Sequence, residues 1–446
     1  MPKREDIPVC PKEFNPPRLV TRSEVYELEL ATPLFGGGVQ ARQNDEAHPI
    51  RESSIRGQLR FWWRATRGRS CPSLEALWQR EEEVFGSTEF PSPLRVDVDR
   101  AGEKPPQFAP AGDFRQGTPE GYALFALQQG DRVIREGLKF RVKLSWLPVE
   151  QLRLQRAAQN ASLVKAKRPQ LPTEIADITD DLRDAVWAWV NFGGIGGRTR
   201  RGCGSLRCAR LAPGTAADIP DWFRAATARF GSPTVSPVLW PVLHDQLVYH
   251  PTEATSVDAW LRAMRLFRDF RQGEDVGRNR RGAGSNRPGR SRFPEPETIR
   301  EALKRRSPKH PRLPQIPNDA FPRAEFGLPI VFQFQGGEVD PTVLYPRVGG
   351  EQPERMASPL ILKSLCLANG KAVPVIVRLA IPPFTAVELT CNGRRNVVGV
   401  PRPPTAVRRP NLATYPNSPL AGSTAGSAIE AFLAFTQNTT NGFTRC

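Results

Sequence analysis

The stretch that most constrains this chain runs Gly193-Gly194-Ile195-Gly196-Gly197-Arg198-Thr199-Arg200-Arg201-Gly202-Cys203-Gly204. Just before it, Leu182, Ala185, Val186, Trp189 and Val190 recur at helical spacing and predict a helix over 182–192, with Asp180 and Asp181 at its positive dipole end. Just after it, 205–211 reads as a strand. The order helix, glycines, strand excludes a Walker loop, which needs Gly-Lys-Ser/Thr, and a dinucleotide fingerprint, which opens a helix after a strand. A helix cap and turn would explain one or two glycines, not six interleaved with three arginines. Such a backbone can take positive φ and approach a ligand closely, while the guanidinium groups neutralise phosphates. Gly193, Gly194, Gly196, Gly197, Arg198, Arg200 and Arg201 are therefore candidate phosphate-binding residues.

A second basic element precedes it. On a helix beginning at Ser54, Ile55, Leu59, Trp62, Trp63 and Thr66 share one face, and Arg56, Arg60, Arg64 and Arg67 share another. The arginines have no acid partner at i,i+4, so an anion outside the helix is the expected complement, and a phosphate backbone fits best. Ser53 or Ser54 is the expected N-cap, which would leave free N–H groups beside the same arginines. The alternative is a solvated basic face.

A formal net charge of +17, carried mostly by arginine, favours a nucleic-acid partner over a general solubility role. No run of 18 apolar residues occurs, and the opening MPKREDIPVC lacks the apolar core of a signal peptide, so a cytoplasmic protein without membrane contact is expected. The seven cysteines are dispersed, with no Cys-x-x-Cys pair, which points to free thiols and to neither a disulfide framework nor a zinc site. No cofactor is implied.

At 446 residues two domains are expected. A polar arm covers 1–22. Alternation predicts strands at 25–31, 94–98 and 138–146, the last with a basic polar face that suits either solvent or RNA. Leu74–Phe85 reads as a helix. Strand, helix, strand, strand, helix, strand is the ferredoxin-like order, so 23–215 forms one α+β domain carrying both basic elements, with a Pro/Gly-rich insertion at 101–121. A linker is expected over 216–240. The second domain, 241–446, opens with a helix at 257–271 and contains a basic insertion, 272–320. Within it, 278–292 has six arginines, Arg280 and Arg281 among them, and no acid, as in a disordered RNA-binding arm. Buried strands are expected at 328–335 and 373–380, and a closing helix at 429–435. No short internal repeat is visible.

Thr32-Pro33-Leu34-Phe35-Gly36-Gly37, the run Ser53-Ser54-Ile55-Arg56-Gly57-Gln58-Leu59-Arg60-Phe61-Trp62-Trp63-Arg64 and the Gly/Arg loop resemble the RAMP proteins of CRISPR systems. With Ser291–Glu297, Phe326–Ile330 and Arg355–Leu362, they are most similar to first subunits of type III-B (Cmr) effector complexes. The resemblance spans roughly 23–380. It implies tandem ferredoxin-like (RRM-like) RAMP domains with long loop insertions, in an antiviral ribonucleoprotein whose partners are CRISPR RNA, target RNA and other RAMP subunits. It also implies a non-catalytic place at the filament end near the 3′ end of the CRISPR RNA, helping to capture target RNA, with cleavage assigned to the backbone subunit.

The rival reading is a RAMP endoribonuclease. Proton transfer at the 2′-OH and leaving oxygen suits His near neutral pH. Of four histidines, His48 lies with Asp45 and Glu46 on the polar loop before the arginine helix, where related backbone subunits carry their cleaving aspartate. Asp45 or His48 is the catalytic candidate, but no second acid or base stands at a defined spacing. A nucleotide-binding enzyme fits less well, since the glycine loop lacks its lysine and no acidic metal-binding pair stands out.

Overall fold

A computed structural model describes residues 20–446 apart from 39, 41, 89–90, 101–102, 116, 126, 169, 172, 283–288, 309, 313–319, 335–338, 348–354, 385, 392–393, 400–417, 422 and 424–425. Nearly all of the arm expected over 1–22 lies outside the described residues. The first strand, β1 (Arg22–Leu30), buries Tyr26, Leu28 and Leu30 in alternation. It is followed by α1 (Glu52–Ala65), α2 (Leu74–Phe85) and β2 (Leu94–Asp99). An insertion contributes β3 (Phe108–Pro110), α3 (Pro119–Ala123) and β4 (Arg132–Ile134), before β5 (Lys139–Trp146), α4 (Val149–Lys165), α5 (Thr179–Phe192) and β6 (Leu206–Arg207). The last strand is shorter than the expected 205–211, because Ala209–Leu211 turns. The sheet is antiparallel in the order β2-β5-β1-β6. Trp62, Trp63 and Leu59 of α1 and Val186 and Trp189 of α5 join Tyr26, Leu28, Phe140, Val142 and Leu144 of the sheet in one core.

The basic outer face of β5 is neutralised across the sheet. Lys139 and Arg141 stand opposite Glu29 and Glu27 of β1, and Lys143 and Arg141 opposite Asp97 and Asp99 of β2. Arg141 reaches Asp99 at 2.5 Å. Acids and bases thus alternate across this face, in place of the purely basic face that the β5 sequence alone presents.

The stretch expected as a linker contains α6 (Ile219–Ala228). Its buried Phe223 packs 5.8 Å from Phe192, so it extends the first core. The second half comprises β7 (Val242–Tyr249), α7 (Ser256–Gln272), α8 (Glu295–Ala302), β8 (Ile330–Phe332), β9 (Thr342–Arg347), β10 (Leu360–Cys366), β11 (Ala372–Ala380), β12 (Ala386–Cys391), β13 (Arg394–Gly399), α9 (Ala428–Thr436) and β14 (Thr444–Arg445). Its main sheet is antiparallel in the order β10-β11-β7-β14. Setting aside insertions, strand, helix, strand, strand, helix, strand recurs with the strand order of the first half. Two insertions meet, β8 and β9 from one and β12 and β13 from the other, and pair as β13-β12-β9-β8. Ile299 of α8 packs in the small core beside them.

The halves share a core: Trp187 and Phe192 of α5 cluster with Ile361, Leu365 and Val375 of β10 and β11. At this seam Lys363, fully buried, donates to the Val190 carbonyl at 3.3 Å and the Gly193 carbonyl at 2.9 Å, capping the C-terminal end of α5. Burial pushes its pKa down to about 7. Buried Glu325 accepts from Ser427 Oγ at 2.8 Å and Ile429 N at 3.1 Å at the start of α9, and burial pushes its pKa up to about 7. The two act with opposite slopes. Between the unfolded glutamate pKa and about 7 the folded chain holds the extra proton, so stability falls as pH rises; between about 7 and the unfolded lysine pKa the unfolded chain does, so stability rises. Urea midpoints measured across pH 5–9 should therefore dip near pH 7, Glu325→Gln flattening the acid limb and Lys363→Met the alkaline one. Limbs unaffected by these substitutions would refute the assignment.

Candidate nucleic-acid interface

The helix predicted to present four arginines to an external anion forms as α1, but its arginines have partners inside the chain. Arg60 Nε lies 2.8 Å from Glu81 Oε1, and Arg64 Nε lies 2.5 Å from Glu81 Oε2. Arg67 Nε lies 2.6 Å from Asp184 Oδ2. Arg56 donates to the carbonyls of Leu94, at 3.0 Å, and Phe85, and to Ser92 Oγ. Glu81 and Asp184 are 7% and 3% exposed, which makes them demanding acceptors. The expectation of an external complement is corrected on this point: the carboxylates come from α2 and α5, which i,i+4 reasoning along one helix does not reach. The N-cap is Arg51, with no side-chain bond, and Ser53 and Ser54 lie inside the first turn.

The face of α1 that meets the glycine loop carries Ser53, Ser54, Gly57 and Gln58 instead. With Gly37, Arg51, Gly196 and Gly197 they line a cleft of roughly 350 Å³. Gly57 is exposed in mid-helix, where glycine costs about 0.5–1 kcal/mol against alanine, and apart from the adjoining helix backbone nothing comes within 4 Å of where a Cβ would stand. Nothing in the fold requires glycine there, whereas a ligand drawn close to the helix would. The mid-helix glycine was visible in the sequence, but only the neighbouring loop gives it meaning.

The Gly/Arg loop is the hinge of the seam. Gly193 caps α5, Gly194 packs on Gly204, and Gly196, at φ +80°, lies against Phe35 and Gly36; Gly197 N donates to the Phe35 carbonyl at 2.6 Å. Arg198, itself left-handed at φ +60°, donates to the Ala123 carbonyl. Arg200 donates to the Ser358 carbonyl and lies 5.6 Å from the Phe61 ring centroid. Arg201 reaches the Leu360 and Phe326 carbonyls at 3.4 Å and stacks 4.7 Å from the Phe267 centroid. Arg271 of α7 lies over the same ring at 5.3 Å and bonds Tyr122 of α3. Among the described residues, Arg198, Arg200, Arg201 and Arg271 have no carboxylate within 4 Å. Burial pushes Arg200 down to about 10, and burial together with the neighbouring arginines pushes Arg201 down to about 9. Carbonyls and aromatic faces orient these half-buried cations without cancelling their charge. An anion at the seam would meet a prepaid field.

The other candidates lie apart from this pattern. Arg280 pairs with Asp275 and Arg281 with Glu274, acids that flank the basic run in sequence, so the unpaired arm expected there is corrected for these two residues. Both arginines are exposed, where such pairs are worth little and exchange readily. Asp45 Oδ1 accepts from the backbone N–H groups of Ala47, at 3.1 Å, and His48, at 2.8 Å, holding the turn, and Glu46 pairs with Arg132 at 2.6 Å. No group of three metal-ligating side chains occurs among the described residues.

Residues 27–207, which hold the first sheet, α1 and the Gly/Arg loop, match the RAMP superfamily. The chain is 26% identical over 196 residues to CRISPR system Cmr subunit Cmr1-2 of Pyrococcus furiosus, covering 42% of this chain and 95% of that protein. It is 24% identical over 197 residues to Cmr1-1 of the same organism, covering 44% of this chain and 50% of that one. Among solved structures it resembles Cmr1 from Pyrococcus furiosus (apo form), at TM-score 0.44 and 18% identity over 81% of this chain and 89% of that one. It also resembles a chain of the type III-B Cmr-beta complex bound to cognate target RNA, at TM-score 0.44 and 12% identity over 81% and 94%. Residues 27–207 thus match the RAMP superfamily, and the chain is similar to the Cmr1 subunits of CRISPR Cmr systems.

Proposed function

We propose that this chain is a non-catalytic, RNA-binding subunit of a type III-B CRISPR effector ribonucleoprotein. It caps the assembly near the 3′ end of the CRISPR RNA and helps to capture target RNA, with other RAMP subunits as neighbours. The relationship to Cmr1 supports the place in the complex. Two ferredoxin-like units in tandem, the first ending and the second beginning around the α6 segment, fit the recurring strand order. The observation that carries RNA binding is the group Arg198, Arg200, Arg201 and Arg271, oriented by carbonyls and rings and lacking carboxylate partners. It continues the cleft at Gly57 and Gly196–Gly197, where a phosphodiester can lie close to the backbone. Arg56, Arg60, Arg64 and Arg67 then serve chiefly to hold α1, and Arg280 and Arg281 add exposed charge at a distance. A non-catalytic role accords with Asp45 being occupied as a turn acceptor.

A tagged wild-type chain purified from its native host should retain a discrete small RNA and other RAMP subunits, and Arg198→Gln/Arg200→Gln should lose the RNA first. In anisotropy titrations across salt the double variant should bind more weakly for every sequence and with a shallower salt slope, by roughly one to two phosphate contacts. Unchanged affinity and slope, with an unchanged melting midpoint, would put the phosphate contacts elsewhere.

A further inference from the structure

The insertion between β2 and β5 brings one feature that phosphate neutralisation does not explain. Phe125, just beyond α3, is 70% exposed, although its neighbours Ala123 and Leu124 are buried. A lone exposed apolar side chain needs no explanation. This one is held, however. The Leu124 N–H bonds the Glu120 carbonyl at 2.8 Å, Leu127 N bonds the Leu124 carbonyl at 2.8 Å, and Tyr122 packs 6.3 Å from Phe267 of α7, so the turn bearing Phe125 is pinned to the second half of the chain. On the Phe125 ring lies the guanidinium of Arg198, 4.2 Å from the centroid. Arg198 adopts a left-handed backbone, which a residue other than glycine takes only at a cost, and its Nε is fixed by the Ala123 carbonyl, two residues before Phe125. It has no carboxylate within 4 Å among the described residues and follows Gly197 of the cleft directly.

We infer that Phe125 and Arg198 form a stacking platform for an unpaired nucleobase of single-stranded RNA. The inference rests on the RNA-binding reading above. Arg198 covers part of the ring, and the 70% exposure leaves a π surface open to solvent beside cations that would attract the adjoining phosphate. An unpaired base presents such a face whatever its sequence, whereas bases in an A-form duplex are already stacked and screened by the deep groove. The platform therefore selects single strands over duplex and is indifferent to sequence. It also gives the insertion a role, since that segment supplies the aromatic partner for an arginine of the glycine loop.

The test uses the full-length chain with a fluorescently labelled single-stranded RNA of about 12 nucleotides, the same strand with internal abasic positions, and the corresponding duplex. Phe125→Ala should weaken single-strand binding by roughly 5- to 150-fold with an unchanged salt slope. Phe125→Trp should retain or tighten it. The abasic strand should bind the wild type more weakly and lose little further with Phe125→Ala, and the duplex should not respond to either substitution. Equal single-strand affinities for wild type, Phe125→Ala and Phe125→Trp would overturn the platform while leaving RNA binding intact. An equal loss on abasic and intact strands would assign Phe125 to the shape of the site and also refute stacking. A wild-type chain that binds no single-stranded RNA would overturn both this inference and the reading on which it rests. Phe125 is exposed, so melting midpoints of the variants should match the wild type.

Discussion

Gly204→Val should unfold the chain or lower its stability by about 4 kcal/mol or more, among the largest effects open to a single substitution. Gly204 sits at φ +66°, a conformation that costs a side-chain-bearing residue about 1–2 kcal/mol by itself. A Cβ there would also stand 1.9 Å from the Ile195 carbonyl oxygen, and the clash is with backbone that cannot move freely. Ile195 N donates to the Gly204 carbonyl at 3.0 Å, and Gly204 N to the Pro33 carbonyl at 2.9 Å, so relief would break the bonds that tie the glycine loop to the end of β1. Gly57→Ala serves as the contrast. With open space around it and a better helix former in place, it should be neutral or stabilise by about 0.5–1 kcal/mol. Urea unfolding of both variants measures the difference. A Gly204→Val midpoint near that of the wild type would mean that the loop is free to relax and does not organise the seam.

Glu81→Ala should cost about 2–3 kcal/mol, less than the 3–5 typical of a fully buried pair, because Arg60 and Arg64 are 35% and 40% exposed and regain some water. One carboxylate serves both guanidinium groups, so its removal leaves two like charges one helical turn apart on α1, with Arg60 keeping the Gly86 carbonyl at 3.2 Å and the Phe85 ring, 5.9 Å to its centroid. Arg60→Ala alone should cost less, since Glu81 keeps Arg64. Chemical denaturation of the two variants gives the ranking. If Glu81→Ala were neutral while Arg60→Ala abolished RNA binding with the fold intact, the α1 arginines would regain the phosphate-contact role first suggested by their spacing.

Local chemistry written in the sequence determined the elements themselves. The period-2 alternation of Phe140, Val142, Leu144 and Trp146 and the helical spacing of Ile55, Leu59, Trp62 and Trp63 reflect how one face of each element leaves water, and β5 and α1 lie where these patterns predicted them, whereas the buried strand expected at 328–335 is only Ile330–Phe332, with Val331 exposed. The glycines at 196, 202 and 204 likewise announced a backbone with positive φ. Tertiary structure alone decided which charges stay free. Arg60, Arg64 and Arg67 have no acid four residues away along the chain, but Glu81 and Asp184 arrive from helices 17 and 117 residues away, and the pairs form because desolvating both partners together costs less than leaving either alone. The arginines of the glycine loop meet carbonyls and rings of the other half and stay uncancelled. The repeated strand order was hidden for the same reason: pairing depends on which apolar faces meet, not on which residues supply them, so two halves without a visible repeat fold to one plan.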